Sequence, residues 1–171
     1  MRARSLLLSA SLLALLVWAP APVCSQDVAA MISEGRFDEI VATYRSAPAD
    51  EAQQIAQQIF AQAYQVGFQR LDYPYAIRGF AAAKQLPGLS ADRVSMLDFW
   101  HGFSVYRLAE SDADRQTLES AQLTLPMFRE AEALMESTGE YAAANNLNLE
   151  QILRATRLYI QIQEALIRRG T

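Results

Sequence analysis

The chain has 171 residues, with one cysteine, one histidine and a formal net charge of −4. An acidic chain without a basic stripe repels the nucleic-acid backbone, which argues against a nucleic-acid partner. One cysteine and one histidine cannot supply a structural zinc site, and no glycine-rich phosphate loop is present, so the sequence selects no metal and no cofactor.

The first 25 residues have the layout of a secretory signal peptide. Arg2 and Arg4 precede an apolar run over residues 6–19, which only two serines interrupt, and Pro20 and Pro22 follow it. The run is shorter than the about 20 apolar residues that a spanning helix needs. We therefore expect export, with no stable membrane insertion after cleavage.

Cleavage is expected after Ser25, which divides the chain into a signal peptide over residues 1–25 and one domain over residues 26–171. An uncleaved N-terminal anchor and lipid attachment at Cys24 stay open as alternatives, although the residues before Cys24 fit a lipoprotein pattern poorly. The domain keeps 13 basic and 19 acidic residues, and among the basic ones only Lys84 is a lysine. This composition is typical of a GC-rich genome and indicates a periplasmic or secreted bacterial protein.

Apolar residues recur at helical spacing along the domain, and no period-two strand pattern is visible, which predicts an all-α fold of about six or seven helices. Prolines, glycines and polar runs mark the breaks between helices. The predicted breaks lie at Ala47–Ala49, Asp72–Pro74, Pro87–Gly88, Glu110–Glu119 and Thr138–Gly139. Two long helices are predicted, one over residues 91–109 and a last one over residues 148–169.

Two segments of the domain repeat at a step of 36 residues. The matched residues are Ile40 with Ala76, Tyr44 with Phe80 and Ala47 with Ala83. Residues 72–87 contain a small residue, an aromatic residue four positions later, an alanine three positions after the aromatic residue, and then a proline. In this pattern the sequence resembles the tetratricopeptide repeat family, whose helix pairs approach at the small residue and pack neighbouring pairs with the aromatic.

A third copy is looser. Gly102 stands at its small position and Tyr106 at its aromatic position, while its second helix would hold Phe128 after an insertion of about nine residues relative to the family spacing. The middle copy has Tyr64 where the third has Gly102. The resemblance implies an array of about three antiparallel helix pairs, closed by a C-terminal capping helix.

By this resemblance, the first helix of each pair lines a concave groove that binds a protein or peptide. Glutamines that can bond a peptide backbone and aromatic anchors are predicted to face it. The predicted groove residues are Gln58, Gln65, Phe68, Gln69, Met96, Phe99, Phe103, Tyr106 and Arg107, with Ala61 among them. The alternative is that the terminal helix fills the groove and makes these aromatics part of the core.

Candidate catalytic residues are few, and we expect no enzyme. His101 lies beside Trp100 in a helix that is expected to pack, and the spacing of Glu132 and Glu136 favours a solvated stripe. The acidic run over residues 110–119 lacks the central glycine and terminal glutamate of a calcium loop.

The leading function is therefore non-catalytic recognition of a protein or peptide partner in the cell envelope, and it depends on the family resemblance. A small cell-wall enzyme or enzyme accessory domain that uses a carboxylate is one alternative. A self-associating structural envelope protein is another, and its signature would be an exposed apolar patch repeated across a two-fold interface.

Overall fold

The computed structural model describes residues 25–113 and 115–170. Within these ranges every regular element is a helix and none is a strand, which confirms the predicted all-α class. Apart from Ser25, the predicted signal peptide lies outside the described residues. No helix in the described ranges combines the length and the apolar character needed to cross a bilayer.

Eight α-helices follow one another in the described part of the chain. They are α1 (Ser25–Ser33), α2 (Phe37–Tyr44), α3 (Ala49–Gln62), α4 (Tyr73–Lys84), α5 (Ala91–Ala113), α6 (Leu118–Glu136), α7 (Gly139–Ala144) and α8 (Leu149–Gly170). From the end of α3 the backbone continues without a break into a π-helical segment, Ala63–Phe68, which we call the π turn. The sequence patterns do not predict α7 or the π turn.

Side chains at the predicted breaks start several helices. The Asp72 carboxylate accepts a hydrogen bond from the Tyr75 amide (3.2 Å), and Pro74 occupies the first turn of α4, where its missing N–H costs nothing. The Thr117 hydroxyl accepts from the Ser120 amide at the start of α6 (3.1 Å). Asn148 caps α8 by accepting from the amide of Gln151 (3.2 Å), at the predicted start of the last helix.

The helices pack mostly against their neighbours in sequence. Helix α1 contacts α2 and α3, and α2 contacts α4. Further contacts join α3 and the π turn to α4, α4 to α5, α5 to α6, and α8 to both α5 and α6, while the short α7 contacts both α5 and α8. Contacts of this kind are typical of helix hairpins stacked side by side.

Close approach of α4 to the helix before it depends on small residues. A Cβ atom built on Gly67 would lie 2.7 Å from the Ala76 Cβ and 2.8 Å from its backbone, and one built on Gly79 would lie 2.7 Å from the Ala63 Cβ. We call this contact the α4 seam. The repeat comparison places Tyr64 at the contact position of this pair, but Gly67 makes the contact, because the π turn changes which residues face α4.

Two groups of buried side chains form the core. The first lies in α1–α4 and the beginning of α5, and its largest fully buried member is Phe80. The second joins α5 and α6 around Phe128 and is covered on one side by α8. The surface that runs from α3 to α5 lies beside both groups and carries the candidate site.

Candidate functional site

Three aromatic side chains stand in line on α3 and the π turn. Phe60, Tyr64 and Phe68 are spaced four residues apart and all are half-buried. The rings of Phe60 and Tyr64 stack with centroids 6.1 Å apart, and those of Tyr64 and Phe68 with centroids 5.9 Å apart, each with 12° between the planes. These residues form one continuous aromatic edge along the helix.

Helix α5 faces this edge with two further half-buried rings, those of Trp100 and Phe103. The indole of Trp100 meets Tyr64 edge-on at 4.7 Å and Phe68 at 5.1 Å, and Phe103 lies 5.4 Å from Phe68. Such edge-on and tilted contacts are the favoured geometry of aromatic pairs. We call the surface formed by Phe60, Tyr64, Phe68, Trp100 and Phe103 the aromatic groove.

A cavity of about 240 Å³ lies at the Phe60 end of the aromatic groove, between α3 and the start of α5. Its lining is mostly apolar, with one arginine and one glutamine. The lining residues are Ala56, Gln57, Phe60, Leu89, Arg93, Met96 and Leu97. Small-molecule and cofactor pockets usually measure about 300–1,000 Å³, so this cavity suits a single apolar side chain better than a cofactor.

The predicted groove residues fall into three classes of exposure. Gln58, Gln65, Gln69 and Arg107 are exposed, as is Ala61. Phe68, Met96 and Phe103 are half-buried. Phe99 and Tyr106 are only 1% and 7% exposed. The structure therefore leaves most of the predicted set at least partly exposed and withdraws two aromatics, Phe99 and Tyr106, from the surface.

The two buried aromatics are covered by the last two helices. Phe99 lies 5.8 Å from the ring of Tyr141 in α7, and Tyr106 lies 6.1 Å from the ring of Tyr159 in α8. The indole N–H of Trp100 donates a hydrogen bond to the Tyr141 hydroxyl (2.9 Å), which fixes the indole at the edge of the groove. Helices α7 and α8 thus cover part of the predicted groove, and the Phe68 and Phe103 side chains keep part of their surface.

Sequence reasoning missed Phe60, Tyr64 and Trp100 as groove residues. The spacing of four residues between Phe60, Tyr64 and Phe68 was a usable signal, since residues at this spacing share a helix face. The row runs through the π turn, which the sequence patterns do not predict.

The other end of the groove is polar. The Arg107 guanidinium pairs with the Glu110 carboxylate at 2.5 Å, and its Nε–H donates to the Tyr73 hydroxyl at 3.4 Å. The Tyr106 hydroxyl donates to the same Glu110 carboxylate (2.9 Å), and burial together with this hydrogen bond raises the pKa of Tyr106. Tyr106 is therefore a neutral structural hydroxyl, and Arg107 is oriented by its partners.

Two of the candidate catalytic residues are engaged in ion pairs, and the third is a partly buried histidine. Glu132 and Glu136 both pair with Arg157 of α8, at 2.5 and 2.9 Å. Burial lowers the pKa of His101, which favours its neutral form. Over the described residues, no three or more histidine, cysteine, aspartate or glutamate side chains group closely enough to hold a metal ion.

Comparison with protein-family models, with curated proteins and with solved structures finds no match for this chain. The functional argument therefore depends on the geometry of the groove.

Proposed function

We propose that this chain is a non-catalytic module that binds an extended segment of a partner protein in the aromatic groove. The observation that carries the proposal is the row of half-buried rings shared between α3, the π turn and α5, with a cavity for one apolar side chain at its end. The resemblance of residues 72–87 to tetratricopeptide repeats supports the same function, because that family binds peptides on this side of its helix pairs.

The chemistry of the groove fits a peptide. Aromatic residues provide large contact areas at low entropic cost, and they are enriched among the residues that dominate binding energies. Gln58 of α3, Gln65 of the π turn and Gln69 directly after it are exposed and can donate to, and accept from, a peptide backbone. Arg93 adds one positive charge at the cavity.

We also propose that the module works outside the cytoplasm of a bacterium, in the periplasm or beyond. The charged, apolar and proline-containing parts of residues 1–25 follow the order of a signal peptide. Purification of the protein from the periplasm of an expressing bacterium, followed by mass spectrometry of its N-terminus, tests this directly. A chain that stays in the cytoplasm contradicts the export proposal, whereas an exported chain that retains Met1 would indicate the uncleaved anchor.

Peptide binding can be followed through Trp100. After residue 25 it is the single tryptophan of the sequence, and it lies in the groove. Peptides selected from a displayed random library on the immobilised protein are titrated against it, and we expect the emission of Trp100 to shift on binding. Selected sequences should contain an apolar side chain that fits the cavity.

A matched pair of substitutions locates the binding surface. Ala61→Arg places a long charged side chain beside the aromatic groove, whereas Ala133→Arg places the same side chain on α6, and both alanines are exposed and helical. We expect Ala61→Arg to weaken the selected peptides at least tenfold, with an unchanged melting temperature, and Ala133→Arg to leave binding as it is. Equal binding by both variants would show that the peptides bind elsewhere.

A further inference from the structure

The cavity at the Phe60 end of the aromatic groove has apolar walls and one charged residue. Ala56 and Phe60 line it from α3, and Met96 and Leu97 line it from α5. Among the described residues that line the cavity, only Arg93 carries a charge. An apolar side chain of a partner that enters this cavity therefore comes close to an arginine.

Arg93 differs from the other arginines of the molecule. It is the only arginine of the described residues that is not exposed. Arg107 and Arg157 are exposed, and each pairs with a glutamate at 2.5 Å. Arg93 is half-buried, and no carboxylate of the described residues lies within ion-pair distance of it. The fold thus withdraws the Arg93 side chain partly from water and supplies no negative charge to it.

In a protein segment, the group that suits Arg93 is a carboxylate. The planar guanidinium can donate two parallel hydrogen bonds to the two carboxylate oxygens, and such charge-assisted bonds are stronger than neutral ones. Gln57 also lines the cavity, is exposed, and can donate a further hydrogen bond from its side-chain amide. The cavity thus offers donors for one carboxylate beside a space for one apolar side chain.

The charge of the whole domain limits how acidic the partner segment can be. Residues 26–171 contain 13 basic and 19 acidic residues, so the domain is negatively charged. A strongly acidic segment is repelled by a domain of the same sign. One carboxylate at a defined place therefore suits this surface better than an acidic tract.

Building on the peptide-binding function proposed above, we propose that the partner segment places an apolar side chain in the cavity and an aspartate or glutamate side chain against Arg93. On α5, Arg93 lies about one turn before Met96 and Leu97, a rise of about 5 Å. In an extended segment, side chains two residues apart lie on the same side and are about 7 Å apart. The acidic residue therefore stands within two residues of the apolar one.

Pairs of peptides test the carboxylate. Selected peptides are synthesised as C-terminal amides, so that side chains supply their only carboxylates, and each is compared with the form in which asparagine or glutamine replaces the acidic residue. We expect the replaced form to bind about tenfold more weakly, followed through the emission of Trp100.

Three outcomes overturn the pairing and leave the peptide-binding function standing. The first is equal binding by the two forms of each peptide. The second is a set of binding peptides without an acidic residue within two positions of an apolar one. The third is binding that requires a free C-terminus, because Arg93 would then hold a terminal carboxylate instead of a side chain.

Substitution of Arg93 tests its role in that preference. We expect Arg93→Gln to reduce the preference for the acidic form to no more than about twofold, as a direct pair requires in a double-mutant cycle. Arg45→Gln is the matched control, because Arg45 also has no carboxylate within ion-pair distance among the described residues but lines a different cavity, between α2 and α4. An equal loss of preference in both variants would indicate the net charge of the domain and overturn the pair with Arg93.

The stability of the free protein separates recognition from a structural role. If Arg93 serves a partner, Arg93→Gln should melt within about 2 °C of the wild type in the absence of peptide. A clearly lower melting temperature would show that the arginine stem is part of the packing around the cavity, and it would overturn the assignment without any peptide. A selection that yields no binding peptide would contradict the peptide-binding function, and this inference with it.

Discussion

The α4 seam and the contact between α6 and α8 each join two helices, but they do so with different kinds of residue. At the α4 seam, Gly67 and Gly79 lie against alanines with no room for a further carbon atom. Between α6 and α8, Arg157 bridges Glu132 and Glu136, and Arg129 pairs with Glu164 at 2.9 Å. One contact is set by the absence of side chains, and the other is bordered by long, exposed, charged ones.

The difference indicates which contact is fixed and which is adjustable. A seam of small residues has a single geometry, because any displacement opens a void or causes a clash. Exposed ion pairs contribute little stability and can re-form at slightly different distances. The exposed ion pairs are therefore the adjustable part of the contact between α6 and α8, while the α4 seam holds α4 at a fixed distance from the helix before it.

The largest expected effect is at the α4 seam. Gly67→Ala would place a Cβ atom 2.8 Å from the backbone of Ala76, which cannot move away as a flexible side chain could. We expect a loss of about 1–3 kcal/mol in the free energy of unfolding, measured by urea denaturation. Gly139→Ala is the control, since nothing lies within 4 Å of a Cβ atom at that position. A stable Gly67→Ala protein would show that the seam is adjustable after all.

A gain of stability is expected from α8. The side-chain oxygen of Gln163 is buried without a hydrogen-bond partner among the described residues, and leaving such a group unpaired is costly. Gln163→Leu keeps a similar volume and removes the polar group, and we expect about 1 kcal/mol of stabilisation in the same denaturation assay. Destabilisation would mean that the amide has a role in positioning α8.

A smaller effect is expected for the ion pairs. Arg157→Ala removes both contacts to Glu132 and Glu136, which are exposed or partly exposed, so it should lower the melting temperature only slightly. The difference from the wild type should disappear in about 1 M salt, where charges are screened within about 3 Å. A large loss that persists in salt would show that the arginine stem packs between the helices.

The smallest effect concerns pH. Burial lowers the pKa of His101 below the ordinary 6.5, against the opposing influence of Glu130 and Asp98, while nearby Lys84 lowers it further. The unfolded chain then binds this proton more readily than the folded one, so stability decreases as the pH falls below about 6.5 and is fully present above it. His101→Gln should flatten the melting-temperature profile between about pH 7 and pH 5. If the His101→Gln protein has the same melting-temperature profile as the wild type, the pH dependence of stability comes from carboxylates instead.

Much of the fold was predictable from local chemistry. Prolines and capping residues placed the starts of α4 and α8 at Asp72 and Asn148, because these positions depend on neighbours in sequence. Helix α5 extends to Ala113, one turn beyond its predicted end. The last turn is mostly polar, but Ala113 is buried in the second core group by contacts that are distant in sequence, and these contacts extend the helix.

The site was less predictable, for a reason that the rings illustrate. Phe103 and Phe99 are four residues apart on one helix and look equivalent in sequence, yet only Phe99 is buried, with Tyr141 of α7 against its ring. Helix α7 itself has six residues and leaves too short a pattern to read. The accessibility of each aromatic side chain depends on short elements that are distant in sequence. The spacing of residues alone does not predict that accessibility.

The π turn has a consequence for how the molecule could change by mutation. In an α-helix, residues four apart drift by about 40° around the axis, but the wider turn at Ala63–Phe68 reduces that drift. Ala63 and Gly67 can therefore both face α4, while Tyr64 and Phe68 both face α5. A π turn holds about one residue more than an α-helical segment that turns through the same angle, so deleting one residue here would restore a regular α-helix and leave α3 close to its present orientation. The segment Ala63–Phe68 is thus a place where the chain can lose one residue during evolution without turning the rest of α3 away from α4.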